Sequence, residues 1–441
     1  MNYNYPWLLA PLFLLACTTA GTDNAGQTQI TKWQHGKTTA LTLTYDDGTI
    51  NQFTRALPIM NELGLPATFY IITGKIKGST KGTFIGRNIE TIIKETATIP
   101  TNEDNLFERA SAIGFSGYEG ALQYHTDAGS LVDAGNMEAA IELINEGYLN
   151  IRNNQLQPMD TIFHANQTDT TTWEDIKEYA KWGHEFGSHT ITHPRLAILD
   201  EKNLLYELEK SKEDIQKFLG KEHTFSAECP YGTENERVME YAHEIYPALR
   251  NRMPAPYLEE LNRSSDLNPG ESEKEYVQWQ RGPLRDITME TMKSWVDTCL
   301  THQNIWLVLV FHGVDGIGWE PRTSAELEEY FSYIKQKEDQ IWVATFADVT
   351  KYIRERQNST VDAIIEQDAI KVILNHDLEN TLYDLPLTLK TYIPDDWQKV
   401  RLGIGDQHNQ ASLNIKEDQN GRFVYYQLRP GPDPAFLVKM N

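Results

Sequence analysis

Strands and helices alternate along most of this chain, and that alternation limits the fold more than any other feature of the sequence. Residues 39–45 alternate in polarity and are rich in β-forming side chains, and Ile305–Phe311 is a continuous apolar run. A run of the second kind is typical of a parallel strand that is buried on both faces. Because helical patterns separate such strands over residues 39–356, the sequence predicts an α/β fold, a distorted (β/α) barrel.

Changes in composition divide the chain into segments. Residues 74–172 are rich in Gly, Thr and Asn and contain amphipathic stretches, which indicates a helical insertion in the barrel. After residue 358 the apolar residues recur at every second position, and Asn420-Gly421 is typical of a hairpin turn. The predicted order is a signal peptide at 1–16, a flexible tether at 17–30, the barrel domain at 31–356 and a small all-β sandwich at 358–441.

The charge of the chain limits its partners. It has 63 acidic and 40 basic side chains, a formal net charge of −23. Such a surface repels phosphate backbones, so we expect no nucleic-acid partner. Only three cysteines occur, too few for a disulfide scaffold, although a bridge between Cys229 and Cys299 is conceivable. The sequence leaves the oligomeric state open.

The first residues predict export. An apolar stretch precedes Cys17, and Leu14-Leu15-Ala16-Cys17 resembles a bacterial lipobox, in which the cysteine is lipidated. Residues 1–6 lack the Lys or Arg that usually begins a signal peptide. We therefore expect a protein of the periplasm or cell surface, an outer-membrane lipoprotein that meets a membrane only through its anchor at Cys17.

Five polar residues lie where predicted strands end. Asp46 and Asp47 close the first strand, His189 and His193 follow a later one, and His312 follows the apolar run. A carboxylate and two neutral imidazoles suit a divalent metal, Zn²⁺ before Co²⁺, Ni²⁺ or Mn²⁺. Three protein ligands leave coordination positions open for water and substrate, as catalytic sites do.

The order of these motifs resembles the polysaccharide deacetylases of carbohydrate esterase family 4, the NodB-homology fold. Residues 44–48 (Thr-Tyr-Asp-Asp-Gly) are similar to the first motif of that family, and residues 189–194 (His-Thr-Ile-Thr-His-Pro) to the second. Residues 225–232 resemble the third motif and residues 309–312 the fifth. The resemblance covers residues 39 to about 350.

The resemblance implies a metal-dependent hydrolase that removes N- or O-linked acetyl groups from a polysaccharide or oligosaccharide. Asp46 would take a proton from the attacking water, and His312 would protonate the departing sugar atom. In the third motif, Pro230 precedes Tyr231, whose backbone N–H would stabilise the oxyanion. The implied metal ligands are Asp47, His189 and His193.

Two departures from the family pattern affect the supporting residues. The third motif commonly has an Arg that orients the catalytic base, but Glu228 stands at that position and would raise the pKa of a nearby Asp46. Either another cation replaces it, with Arg250, Arg252, Arg281 and Arg285 as the candidates, or the base works differently. The fourth motif, an Asp and a Trp, is indistinct, and its possible counterparts are Asp286, Trp295 and Asp297.

Two other functions compete with the deacetylase. Glu228 at the usual Arg position favours a carbohydrate-binding protein on a deacetylase scaffold with impaired catalysis. A glycosidase with paired carboxylates is disfavoured, since the adjacent Asp46 and Asp47 cannot flank a glycosidic bond from two sides. The substrate could be acetylated xylan, a chitin-like glycan or peptidoglycan.

Overall fold

The computed structural model describes residues 24–159, 171–254, 258–405 and 411–440. The predicted signal peptide and Cys17 lie outside these residues. None of the helices in the described part of the chain combines the length and the apolar character that crossing a bilayer requires.

The described residues form eighteen strands, most of them short. In chain order they are β1 (Thr28–Ile30), β2 (Thr39–Asp47), β3 (Ala67–Ile71), β4 (Glu185–Ser188), β5 (Ser226–Ala227), β6 (Ala248–Leu249), β7 (Glu259–Leu261), β8 (Val277–Arg281), β9 (Ile305–Phe311), β10 (Ile341–Val343), β11 (Ser359–Glu366), β12 (Ala369–His376), β13 (Leu387–Tyr392), β14 (Val400–Ile404), β15 (Ala411–Leu413), β16 (Ile415–Asp418), β17 (Gly421–Leu428) and β18 (Ala435–Lys439).

Eleven α-helices are described as well. They are α1 (Leu57–Leu63), α2 (Ile89–Glu95), α3 (Leu106–Gly114), α4 (Ala121–Asp133), α5 (Met137–Arg152), α6 (Trp173–Ala180), α7 (Glu201–Phe218), α8 (Glu236–Ile245), α9 (Met289–Thr301), α10 (Ser324–Lys335) and α11 (Phe346–Asn358).

A parallel sheet forms the centre of the fold, in the order β6-β5-β4-β3-β2-β9-β8-β7, with β10 paired to the start of β2. Within the described residues the edge strands β6 and β7 do not pair with each other, so the barrel stays open. All seven residues of β9 are buried, as an apolar strand between two parallel neighbours requires. This confirms the predicted distorted barrel.

The helices α2 to α5 form the insertion between β3 and α6. Their apolar faces pack on one another around Ile113, Ile144 and Tyr148, which are fully buried. Ile198, from the segment after the second motif, joins the same cluster. The insertion thus has a core of its own that adjoins the loop carrying His189 and His193.

The strands after α11 form two antiparallel sheets, one of which also includes β1. One has the order β11-β12-β18-β14-β15 and the other β1-β13-β17-β16. Residues 387–392 of β13 pair with β17 on one side and with β1 on the other. The prediction of a flexible tether up to residue 30 is therefore wrong for Thr28–Ile30, because backbone pairing with β13 fixes this segment as a strand.

Candidate active site

The motif residues meet at one edge of the parallel sheet. Asp46 and Asp47 end β2, His189 follows β4, Glu228 follows β5 and His312 follows β9. Since these strands are parallel neighbours, their carboxyl ends lie together although the residues are far apart in sequence. Loops after strands of this kind carry the active sites of barrel enzymes.

Asp47, His189 and His193 form a group of possible metal ligands. Asp47 Oδ1 lies 3.8 Å from His189 Nε2 and 3.4 Å from His193 Nε2. Ligands about 2.1 Å from a tetrahedral ion are separated by roughly 3.4 Å, so these spacings fit a divalent metal. Burial lowers the pKa of both imidazoles to about 4, which keeps them neutral as ligands must be.

The backbone of residue 228 sets the orientation of His189. His189 Nδ1 lies 2.9 Å from the Glu228 carbonyl oxygen, so Nδ1–H donates there and leaves Nε2 with a free lone pair. Asp47 and His193 have left-handed backbones, with φ of 76° and 62°. Such conformations cost a non-glycine residue roughly 1–3 kcal/mol and persist where the surrounding structure enforces them.

Glu207 of α7 enforces the loop conformation. This fully buried carboxylate accepts hydrogen bonds from the backbone N–H groups of Ile191 and Thr192, at 2.8 and 2.9 Å. It also accepts one from the Thr192 hydroxyl at 2.7 Å. The residues between the two histidines are thereby held from outside the motif, and the spacing of His189 and His193 is fixed by α7.

Arg250 supplies the cation that the third motif lacks. It follows β6, the strand beside β5, and its guanidinium donates to both carboxylate oxygens of Asp46 at 2.7 Å. The same guanidinium lies 2.9 Å from Glu228 Oε1 and donates to the Thr44 hydroxyl at 2.8 Å. Arg250 and Asp46 are 0% and 2% exposed, so this is a buried bidentate pair.

The two carboxylates beside Arg250 titrate in opposite directions. Burial alone would raise the pKa of Asp46, but Arg250, with help from His312, holds it well below its usual range. Burial raises the pKa of Glu228, and its Oε2 has no hydrogen-bond partner. Since one cation serves two acids, these opposite shifts favour the charged form of Asp46 and the neutral form of Glu228. The expected rise in the Asp46 pKa from Glu228 is thus outweighed by Arg250.

His312 lies on the other side of Asp46. Its Nε2 is 3.4 Å from Asp46 Oδ2, and burial lowers its pKa while the Asp46 carboxylate opposes that shift. The Gln52 amide donates to the backbone oxygens of Asp46 and His312, at 2.5 and 2.8 Å, and so ties the ends of β2 and β9 together. Trp319 packs edge-on against the imidazole, with ring centroids 4.7 Å apart.

Tyr231 lies beside the metal-ligand group. Its ring centroid is 4.6 Å from that of His193, its φ is 61°, and the buried Pro230 precedes it. The Arg195 guanidinium lies 4.4 Å from the Tyr231 ring and forms a 2.8 Å ion pair with Asp133 of α4. The insertion therefore reaches the site through this arginine.

The remaining predicted residues lie apart from Asp46. Arg281 and Trp295 line a neighbouring cleft, Asp286 is exposed and Asp297 accepts a hydrogen bond from Tyr333 at 2.6 Å. Arg252 pairs with Glu236 on the surface. Cys229 and Cys299 are both free and buried, so the conceivable disulfide is absent. No aspartate of the fourth motif reaches His312 among the described residues, where Asp46 is its one carboxylate partner within 4 Å.

Sequence reasoning missed four residues that the fold brings to the site or its rim: Gln52, Glu207, Arg263 and Trp319. Gln52 and Glu207 act through backbone groups, which leave no motif in the sequence. Arg263 and Trp319 lie on loops after β7 and β9. A signal existed only for Trp319, which stands seven residues after His312 in a Gly-rich loop.

Comparison with known proteins finds similarity to one family over part of the chain. The family model described as polysaccharide deacetylase matches residues 34–98 and 154–246. These ranges carry the first three motifs, and the gap between them contains α3 to α5. A gellan lyase from a Bacillus species is 28% identical over 250 residues, which are 51% of this chain and 10% of that protein. The chain thus spans about a tenth of the length of this curated relative.

Two solved structures are similar over larger shares of the chain. A putative polysaccharide deacetylase from Mycobacterium smegmatis is 14% identical with a TM-score of 0.37, over 75% of this chain and 94% of that one. A family 4 carbohydrate esterase from Bacillus anthracis is 15% identical with a TM-score of 0.33, over 80% of this chain and 99% of that one.

Proposed function

On the premise that residues 34–98 and 154–246 place this chain among the polysaccharide deacetylases, we propose that it hydrolyses acetyl groups from an acetylated glycan with the help of a divalent metal. The observation that carries the proposal is the juxtaposition of three groups. An aspartate with two neutral imidazoles, a carboxylate paired with an arginine and a third histidine all lie at one sheet edge.

The metal belongs at Asp47, His189 and His193, with Zn²⁺ the expected ion. When bound there, it polarises the acetyl carbonyl and lowers the pKa of water toward about 7. The donor set fits, because the carboxylate and both Nε2 atoms lie within 4.8 Å of one another. The protein contributes preorganisation: the Glu228 carbonyl orients the His189 imidazole, and Glu207 holds the backbone between the two histidines.

Asp46 is proposed as the general base. Arg250 keeps its carboxylate ionised, so a proton acceptor is available at neutral pH. The bidentate contact also fixes the plane of the carboxylate, so that Oδ2 faces His312 at 3.4 Å. A positioned base of this kind contributes roughly 10²- to 10⁴-fold to the rate.

His312 is proposed as the general acid that protonates the departing sugar nitrogen or oxygen. Its position next to Asp46 places acid and base within reach of one acetyl group. Tyr231 would offer its backbone N–H to the oxyanion, while its half-exposed ring forms a wall of the entrance.

The competing hypothesis of an impaired carbohydrate-binding protein rested on Glu228. Arg250 now supplies the missing cation from the neighbouring strand, and Glu228 shares it rather than opposing it. A binding protein needs neither an ionised base nor a histidine 3.4 Å from it. We therefore favour the enzyme.

The test is acetate release by metal-loaded protein from acetylated xylan, chitooligosaccharides and peptidoglycan. Chelation and the isosteric variant Asp46→Asn should each remove at least 99% of the activity, by the general-base contribution above. Asp286→Asn, at an exposed aspartate, is the matched control and should match the wild type. Release that survives chelation, or equal rates in both variants, would contradict the proposal.

We also propose that the protein acts outside the cytoplasm, anchored through a lipid on Cys17. The support is the sequence before Cys17 alone. In a bacterial host, labelled palmitate should enter the wild type and fail to enter Cys17→Ser. Label in the variant, or wild-type protein recovered from the cytoplasm without label, would refute the anchor.

A further inference from the structure

A second cavity, of about 620 Å³, opens beside the proposed metal site. We name it the arginine cleft, after two of its lining residues. The side chains used in the argument are Tyr231, Glu234, Arg263, Arg281, Trp295 and Trp319.

The arginine cleft shares two walls with the proposed active site. Tyr231 packs on His193 with ring centroids 4.6 Å apart, and Trp319 packs on His312 at 4.7 Å. Tyr231 and Trp319 are about half exposed, at 49% and 52%, so both present ring surface to the cleft. A glycan with its acetyl group at the metal site would therefore extend along these rings into the cleft.

Arg263 brings an uncompensated charge into the cleft. Its guanidinium donates no hydrogen bond and forms no ion pair with any of residues 24–159, 171–254, 258–405 or 411–440. Burial lowers its pKa, and the cation of Arg250 lowers it further, while Asp46 and Glu228 oppose the shift from a distance. The side chain of Arg263 is nevertheless exposed, so its charge faces the solvent of the cleft and is accessible to a bound anion.

Arg281 stands next to Arg263 on the same wall. Its guanidinium lies over the Trp279 ring at 4.7 Å and makes only long contacts with backbone oxygens, one of them the 3.4 Å contact with Arg263. Gly282 leaves room for the neighbour, because a Cβ there would lie 3.2 Å from Arg263 Cδ. The lining of the cleft thus contains two cationic side chains, Arg263 and Arg281.

Glu234, the acidic residue in the cleft lining, offsets little of the positive charge of Arg263 and Arg281. Glu234 is mostly buried, and burial raises its pKa to about 7, so its carboxyl is half neutral at that pH. The charge of Asp266 also acts on Arg281, but Asp266 is not among the lining residues. Two arginines and one partly neutral carboxyl group therefore line the cleft, in a chain with a formal net charge of −23. A local field opposite in sign to that of the whole protein favours an anionic ligand at this place.

We propose that the arginine cleft binds an anionic substituent, a carboxylate or a sulfate, on the sugar next to the acetylated residue. Guanidinium groups recognise planar carboxylates and sulfates by paired charge-assisted hydrogen bonds. Trp295 and Trp319 would pack on the sugar ring that carries the anion. The inference rests on the proposed deacetylase function and names its substrate class: an acetylated acidic glycan, recognised through Arg263 and Arg281.

The experiment compares matched substrates with metal-loaded full-length protein. Acetylated oligogalacturonides are assayed against the same oligosaccharides after methyl esterification, which removes the carboxylate charge but keeps the acetyl groups. An acetylated sulfated oligosaccharide is the third substrate and distinguishes the two anions. The readout is the ratio of kcat/KM for charged and uncharged forms, which we expect to exceed about tenfold for the best anion.

Variants assign the preference to the cleft. Arg263→Met and Arg281→Met should each lower that ratio by about tenfold to a hundredfold, the worth of lost charged hydrogen bonds. The corresponding Lys variants keep the positive charge but not the planar guanidinium group, so their ratio of kcat/KM should fall less than in the Met variants. Arg285→Met is the control: this exposed arginine lies outside the cleft lining, and the ratio should stay at the wild-type value.

A binding measurement separates this inference from the proposed function. Titration of the protein with deacetylated oligogalacturonide, or with a sulfated oligosaccharide, needs no catalysis. If the wild type binds one of these anions and Arg263→Met does not, the proposed anion site is supported, even when no substrate releases acetate. Only the proposed deacetylase function would then be refuted. Equal kcat/KM for charged and uncharged substrates, or absence of binding to both anions, overturns the cleft while leaving the deacetylase standing.

Discussion

Replacing Arg250 with Met tests the electrostatic centre of the site. The substitution keeps much of the apolar stem but removes the cation that two buried carboxylates share. Breaking a buried ion pair by removing one partner costs about 3–5 kcal/mol, because the other charge stays desolvated. We expect Arg250→Met to lose that much unfolding free energy at pH 7. Arg252→Met, which breaks a surface pair with Glu236, should lose at most about 1 kcal/mol.

The pH dependence of the unfolding free energy tests the role of Arg250 more sharply than the loss of stability at pH 7 does. Arg250 holds the pKa of Asp46 below its unfolded value of 3.8, so the pair stabilises the wild type above that pH and is lost as the pH falls further. Without Arg250, burial raises the pKa of Asp46 above 3.8. The change in stability with pH that Asp46 causes then has the opposite sign. The contribution of Asp46 in the variant should then fall as the pH rises from about 4 towards its raised pKa.

Urea unfolding between pH 4 and 8 measures this, and acetate release over the same range measures the consequence for catalysis. The acidic limb of the rate profile should move to higher pH in Arg250→Met, because a protonated Asp46 accepts no proton. Arg250→Lys keeps a positive charge, so its unfolding free energy and the position of its acidic limb should lie between those of Arg250→Met and the wild type. This variant keeps the test informative if Arg250→Met does not fold. Parallel pH curves for Arg250→Met and Arg252→Met would refute the reasoning.

Three further predictions concern the supports of the site. Glu207→Gln should weaken zinc binding about tenfold to a hundredfold, because Glu207 holds the loop between the two histidines. Competition with a chromophoric chelator measures the zinc affinity. An unchanged affinity would exclude a role of Glu207 in positioning the metal ligands. His125 is buried, and burial lowers its pKa to about 4 from 6.5, so His125 alone should contribute a loss of up to about 3 kcal/mol of wild-type stability as the pH falls from 6.5 to 4. His125→Gln should flatten that part of the urea-unfolding profile, and an unchanged slope would contradict the assignment. Cys229 and Cys299 are free and buried, and burial raises the pKa of both thiols. Iodoacetamide should therefore modify them only after denaturation, which peptide mass spectrometry can show. Rapid labelling of the native protein would disprove their burial.

The strand-end residues could be predicted from the sequence because a local pattern determines where a strand ends. Asp46 and Asp47 close an alternating stretch, and His312 follows an apolar one. Parallel neighbours bring such ends to one sheet edge, so the pattern alone implied that these side chains meet. A metal site could also be proposed without coordinates, since two imidazoles and a carboxylate are ligands that suit a divalent metal.

The partner of Asp46 could not be predicted in the same way. Arg250 lies 204 positions from Asp46 and was one of four candidate arginines, none of them marked by a motif. The pairing of β5 with β6 selects it, since this neighbour brings residue 250 beside residue 228. The strand Thr28–Ile30 was missed for a related reason: three residues carry too little pattern, and their partner β13 lies more than 350 positions away.

The sequence by itself therefore determined the strand–helix alternation, the ligand types and the sheet edge where they meet, because each depends on short-range periodicity and on residue chemistry. Only the tertiary structure decided which arginine neutralises Asp46, which carboxylate keeps its proton and which cations face the cleft. Those outcomes depend on burial and on distances of a few ångströms between residues far apart in the chain, which the order of residues does not contain.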